Sequence, residues 1–314
     1  MYFPYLRGKQ FELIMLREMA PSIAEWGFVP IIEPVRSNFS PLKRAIASLT
    51  EHNCRFVLIA NPGVGDLSNN PSSLWTDIIQ GSLAEYNNFS VGLCLTASSP
   101  LHVAEDFFKE HNIPTTIIHD GFSDGKGLAT VIHDTSPDIN KHVFMNNSST
   151  LYRKHFAGTD RILVIDGFTS RPNKEYPLTE PFSELYLTFA EMGCVGFGDY
   201  LIAGKDYRDG GGPAGAVAIH ISYVDSAADD AIAINHFISD MTDVLDDIAS
   251  KFAEALSKLV EAVNAGSSQI YRSNAIEEFL DLHKKGHYPG LGYVKKLSMQ
   301  HHLELVAHIV NVEA

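Results

Sequence analysis

Short continuous apolar runs alternate with longer stretches of mixed polarity from residue 2 to residue 203. The runs are YFPYLRG (2–8), FVPIIEPV (28–35), RFVLIANPG (55–63), SVGLCLTA (90–97), TTIIHDGF (115–122), HVFMNNSS (142–149), RILVIDGF (161–168) and VGFGDYLIA (195–203). Several are apolar throughout rather than at every second position. That pattern predicts strands buried on both faces, as in a parallel sheet covered by helices.

The stretches between them predict helices. KQFELIMLREMAPSIAEWG places Phe11, Ile14, Met15 and Met19 at helical spacing and runs to Gly27, a candidate C-cap. SPLKRAIASLTEHN and SPLHVAEDFFKEHN both open with Ser-Pro, an N-cap followed by the residue whose φ is already helical. SSLWTDIIQGSLAEYNN and TEPFSELYLTFAEMG read as helices too, and 126–134 and 149–156 as shorter ones. Eight strands separated by helices allow a doubly wound sheet or a (β/α)8 barrel of TIM type. The count of eight and the even spacing favour the barrel.

A ninth run, AVAIHISYV (216–224), competes with residues 2–8 for the place that closes the barrel. The preferred reading pairs 195–203 with 216–224 as a hairpin about the turn-rich RDGGGPAG (208–215). Residues 226–264 read as a long helical stretch with room for one break. Phe237, Met241, Val244, Leu245, Ile248, Phe252, Leu256, Leu259 and Val260 form its apolar stripe, and Asp240, Asp243, Asp246, Asp247 and Glu254 an acidic face. NAGSSQ (264–269) is a linker. A helical tail follows, with HKKGHYPGLGYVKK (283–296) as a loop bearing Lys284, Lys285, Lys295 and Lys296. The expected organisation is a barrel over 1–224, terminal hairpin included, with a helical extension over 225–314 packed on it.

Catalytic groups of such barrels come from the C-terminal strand ends and the loops that follow. Those ends here hold Arg7 and Lys9, Glu33 and Arg36, Asn61, Thr96, His119 and Asp120, Asn146, Asp166, and Asp199 with Tyr200. Leaving such groups buried and unpaired costs about 1–3 kcal/mol each, so they pair with one another or with a ligand. Asp, Asn and Gly also favour these turns for capping reasons alone. Arg7, Lys9 and Arg36 would stand near Glu33, Asp166 and Asp199, because strands one, two, seven and eight are neighbours in a barrel. That half-rim suits an anionic substrate beside acid and base groups. His119 is the candidate proton carrier, but only one of His119 and Asp120 can face the interior. Glu33, Asp120, Asp166 and Asp199 are hard oxygen donors of the kind that would hold Mg²⁺ or Mn²⁺.

Other features narrow the chemistry. RDGGGPAG lacks the spacing of a phosphate loop, and a hairpin turn explains its glycines as well as an anion would. Lys205 is an amine with no sign of desolvation, and His301-His302 lacks the spacing of a helical zinc pair. Nucleophile-elbow and dinucleotide-loop patterns are absent. Net charge is −14, which disfavours nucleic acid and anionic membranes as partners. Cys54, Cys94 and Cys194 are widely spaced and odd in number, which points to buried thiols in the cytoplasm. The opening MYFPYLRGKQ lacks the basic-then-apolar order of a secretion signal, and no run reaches the roughly 18 apolar residues of a membrane span.

The segments YFPYLRGKQFELIMLRE, VPIIEPV and FGDY together resemble the uncharacterised bacterial and phage "beta family" proteins and a closely related hypothetical-protein family. The matching positions are Tyr2, Pro4, Leu6, Arg7, Gly8 and Lys9, then Pro30, Ile32 and Glu33, then Gly198, Asp199 and Tyr200. They fall in order over roughly 1–224, with the opening motif the most specific. The resemblance implies a barrel-like fold and no settled reaction. It also implies an association with phage-defence or mobile-element loci.

Two functions remain open on the sequence. In the first, an enzyme binds a phosphate- or carboxylate-bearing substrate through Arg7, Lys9, Arg36, Asn61 and Asn146. Glu33, Asp166, Asp199 and His119 then serve acid, base or metal roles in hydrolysis or transfer. In the second, a binding or assembly subunit docks a protein partner, or a second copy of itself, through its acidic helix and basic loop.

Overall fold

The computed structural model describes residues 1–145, 148–210, 215–243 and 247–312. The strands are β1 (Tyr5–Leu6), β2 (Ile31–Ile32), β3 (Phe56–Ile59), β4 (Phe89–Thr96), β5 (Thr115–Asp120), β6 (Ile139–Met145), β7 (Arg161–Ile165), β8 (Thr179–Ser183), β9 (Gly196–Asp199), β10 (Ala218–Asp225) and β11 (Ala231–Ile238). Among the helices, α1 (Gln10–Trp26) and α2 (Ser40–Glu51) follow β1 and β2, and α3 (Ser72–Leu74) leads into a π-helical stretch, Trp75–Ser82. Then come α4 (His102–Glu110), α5 (Gly125–Thr135), α6 (Thr150–Arg153), α7 (Leu185–Thr188), α8 (Ile248–Asn264), α9 (Asn274–Lys285) and α10 (Leu291–Val312).

The first eight apolar runs all enter one sheet, in the order β1-β2-β3-β4-β5-β6-β7-β9. Every pairing in it is parallel. The Phe3 N–H donates to the Phe197 carbonyl at 2.8 Å, and the Phe197 N–H to that of Met1 at 3.1 Å. These bonds bring β9 beside the first residues of the chain and close the sheet as a (β/α)8 barrel. Residues 2–8 therefore hold the first barrel position. Small residues make the closure fit: a Cβ on Gly198 would lie 2.1 Å from the Phe3 carbonyl oxygen. On the outside, α1 buries Leu13, Met15, Leu16, Met19, Ala20 and Ile23, and ends at Gly27 with φ 66°.

The remaining strands form a three-stranded antiparallel sheet, β10-β11-β8. This corrects three expectations. Residues 195–203 and 216–224 do not form a hairpin, because β9 lies in the barrel and β10 pairs with β11. The helix expected over 226–264 is strand β11 followed by α8. AIAINHFI alternates at period two, with Ile232, Ile234 and His236 on one face, and Asp229 and Asp230 turn the chain at φ 52° and 63°. Aspartate is among the few residues that tolerate that backbone. TEPFSELYL is likewise an edge strand and one short helix. Pro181, which lacks an N–H, suits that edge.

Two compact units result: Met1–Ile165 with Thr188–Asp199, and Asp166–Leu187 with Tyr200–Ala314. This grouping differs from a division at 224/225, because β8 and β10 fall with the C-terminal helices. In the second unit Val217, Ile219 and Ile221 pack with Phe252, Leu256, Leu259, Ile276, Phe279 and Leu297. The stretch 283–296 is largely helical rather than a loop, since Lys284 and Lys285 end α9 and Lys295 and Lys296 lie in α10. His301 and His302 are buried on α10, bonded to the Ser222 carbonyl and hydroxyl at 2.7 and 3.0 Å. They tie α10 to the sheet. No helix among the described residues is long and apolar enough to cross a membrane.

Candidate functional site

The register of the barrel decides which side chains face inward. Alternation places Phe3, Tyr5 and Arg7 on one side of the first segment. Partners across the ladder put Ile31 and Glu33, Val57, Ile59 and Asn61, Ser90, Gly92 and Cys94, and Thr116, Ile118 and Asp120 on that same side. The hydroxyls of Ser90 and Thr116 lie 2.7 Å apart in this interior. A Cβ on Gly92 would meet Ile59 and Val57 there.

At the C-terminal end of this interior the polar groups gather on Glu33, which is 4% exposed. Its Oε2 accepts from the Arg7 guanidinium at 2.6 Å and from the Tyr5 hydroxyl at 2.8 Å. Its Oε1 accepts from the Gly63 N–H at 2.9 Å. Three donors from the ends of two strands, β1 and β3, thus fix one carboxylate on the strand between them. Gly65, at φ +80°, brings this loop so close to β2 that a Cβ would lie 2.2 Å from the Val35 carbonyl. Cys94 belongs to the same cluster. Burial, then the charges of Glu33 and Asp120, push its thiol well above its usual range, with Arg7 opposing. The Asn61 amide exchanges two 2.8 Å hydrogen bonds with the Cys94 backbone and extends the β3–β4 ladder.

The other rim candidates lie elsewhere. Arg36 is exposed and pairs with Asp66 at 3.7 Å, and Asp66 also accepts from the Ser37 N–H, so these residues staple two loops. Lys9 caps α1, where the Glu12 carboxylate accepts its N–H at 3.2 Å. Asp199 alternates to the outer face with Phe197 and accepts from the buried Tyr2 hydroxyl at 2.7 Å. It does not join Glu33. His119 also faces outward and is fully buried, between the barrel and α6. The Tyr152 hydroxyl lies 2.6 Å from its Nδ1, and its Nε2 lies 3.0 Å from Nδ1 of His142. Burial, then His142, hold its pKa well below the ordinary value. It packs as a wedge within the wall, on the face away from the Glu33 cluster. Asn146 lies outside the described residues.

Asp166 belongs to the second unit. Its oxygens accept from the N–H groups of Phe168 at 3.2 Å and Lys205 at 3.0 Å. Burial raises its pKa, and those two bonds oppose the rise. The two Asp-Gly-Phe segments thus differ. Asp120 stands on the interior face of β5, whereas Asp166 ties its own turn to residue 205.

Tyr5 and Cys94 were not candidates from the sequence. Counting alternate residues back from Arg7 and from Thr96 would have found Tyr5 and Cys94. Among the described residues no group of three or more His, Cys, Asp or Glu is placed to hold a metal ion, so the four-carboxylate set does not assemble. A cavity of about 450 Å³ lies at the opposite ends of β6 and β7, lined by Ile132, His142, Thr159 and Asp160 among others. It is remote from Glu33.

No protein-family model matches the chain, and no curated protein sequence matches it. Among solved structures, the N-acetylneuraminate lyase of Mycoplasma synoviae is similar at 12% identity and a TM-score of 0.40. The match covers 63% of this chain and 68% of that one.

Proposed function

We propose that the chain is a barrel enzyme acting on a small anionic, phosphate- or carboxylate-bearing substrate at the C-terminal ends of its strands. The observation that carries this reading is the Arg7–Glu33 pair inside the barrel. Taking two charges out of water costs as much as their attraction returns, or more. Such a pair is a poor device for stability and a good one for presenting a preorganised guanidinium and carboxylate to a ligand. Arg7 supplies the anion contact and Glu33 the acid or base, with hydrolysis or group transfer as the reaction class. The resemblance to beta family proteins adds a phage-defence or mobile-element setting to this proposal. Glu33→Gln and Arg7→Met are expected to remove ligand-dependent activity while leaving the far-ultraviolet circular dichroism unchanged. Retention of activity in both would reject the assignment.

The docking alternative draws less support from the second unit. Asp240 pairs with Lys258 at 2.6 Å, and Glu254 accepts the N–H groups of Asp240 and Met241. Lys285 pairs with Asp281 at 2.5 Å. Much of the charge expected to meet a partner is engaged within the chain.

A further inference from the structure

The antiparallel sheet carries a chain of three side chains that the barrel site does not use. His220 on β10 and His236 on β11 are direct cross-strand partners, with their Nδ1 atoms 2.6 Å apart. Nε2 of His236 lies 3.1 Å from Oε1 of Glu180 on β8. Both atoms are buried and neither meets hydrogen-bond geometry with any described residue, so the 3.1 Å approach is an ion-pair contact between two otherwise unpartnered atoms. The second oxygen of Glu180 is held by Arg171 at 2.8 Å. Tyr176 stacks on His236 at 4.7 Å, and Phe168 meets the His220 ring edge-on at 5.1 Å.

The chemistry of the partners sets the protons. A carboxylate has none to give, so His236 carries its hydrogen on Nε2 and leaves Nδ1 bare. The bare Nδ1 can only accept, so His220 carries its hydrogen on Nδ1. That leaves Nε2 of His220 as a lone pair. His236 is 2% exposed, whereas His220 is only partly buried. Burial, then His236 and Lys295, push His220 down to about 3, and burial also lowers His236 although Glu180 opposes it. Burial thus disfavours the charged form of both rings. Cations lie nearby: Lys295 acts on His220, Arg171 on His236, and Arg171 with Arg208 on Tyr176, with the Glu180 carboxylate opposing them. These cations stand in a chain of net charge −14.

We propose that Glu180, His236 and His220 form a second ligand site, one that binds a phosphate-bearing anion by accepting its P–O–H hydrogen at Nε2 of His220. A bare lone pair repels a carboxylate or sulfate, which have no hydrogen to offer at neutral pH. A protonated phosphate oxygen offers one, while its other oxygens meet the surrounding cations. The relay thus discriminates phosphate from sulfate by proton count at similar size and charge.

The test is long-range ¹H–¹⁵N spectroscopy of the histidine rings in the full chain at neutral pH, titrated with inorganic phosphate and, separately, with sulfate. The expected result is His220 with its hydrogen on Nδ1 and His236 with its hydrogen on Nε2. Phosphate should then move the His220 Nε2 resonance and sulfate should not. Glu180→Gln, whose amide can also donate, should allow the reverse proton order and abolish the discrimination. Arg7→Met should leave the response intact, which separates this site from the barrel site. A wild-type His220 carrying its hydrogen on Nε2 would overturn the proposal. So would an equal response to sulfate, or no response to phosphate.

Discussion

Arg7 and Glu33 sit in an interior whose other inward residues include Phe3, Ile31, Val57 and Ile59, all buried. Removing one partner strands the other charge in that environment. Glu33→Ala is expected to cost about 3–5 kcal/mol, read from urea unfolding midpoints. Replacing both by Met should restore most of that stability without restoring function, because the pair contributes little net stabilisation. The buried histidines make a separate expectation. His142 and His301 are held near 4 and His220 near 3, and His119 is lowered as well, chiefly by burial. Their unfolded counterparts titrate near pH 6.5, so the unfolded chain binds more protons in the window below that value. Stability is then full above about pH 6.5 and falls toward pH 4, by up to ~1.4 kcal/mol per pH unit for each such ring. Unfolding midpoints that stayed flat between pH 7 and 5 would show the rings to be protonated in the fold. At this scale the sequence shows the Arg7–Glu33 pairing, because both residues end predicted strands. It does not show which of His119 and Asp120 turns inward, because that depends on a register set by neighbouring strands.

The eight barrel strands are legible as elements because a strand buried on both faces leaves a continuous apolar signature that no amphipathic helix shares. The antiparallel sheet is not legible in the same way. In β11, Phe237 and Ile238 fall in phase with the apolar stripe that continues through Phe252 and Leu256. A helical period can therefore be drawn across two different elements. β8 hides similarly, since only Phe182 of its five residues is buried. Closure of the barrel is the element-scale claim most open to test. Gly198→Ala would press a methyl against the Phe3 carbonyl at 2.1 Å, with Val164 3.1 Å away on the other side. Overpacking of this kind costs ~1–3 kcal/mol or more. The seam between β9 and residues 1–3 should lose amide-exchange protection before β3–β5 does. Uniform protection loss around the sheet would argue against a seam there.

For the whole molecule, two units carry two kinds of polar cluster. The first holds a charged pair inside a parallel barrel, and the second an imidazole relay on an antiparallel sheet. The net charge of −14 means that any anionic ligand is drawn by local arrangement against the overall field. The central claim is that a small anion binds at Arg7 and Glu33. Its most direct measurement is a thermal-shift and calorimetric screen of phosphate- and carboxylate-bearing small molecules. The screen would use the wild type, Arg7→Met, Glu33→Gln and His220→Phe. The account predicts at least one ligand whose binding is lost in the first two variants and kept in the third. If every binding ligand remained bound in Arg7→Met, that result would contradict it.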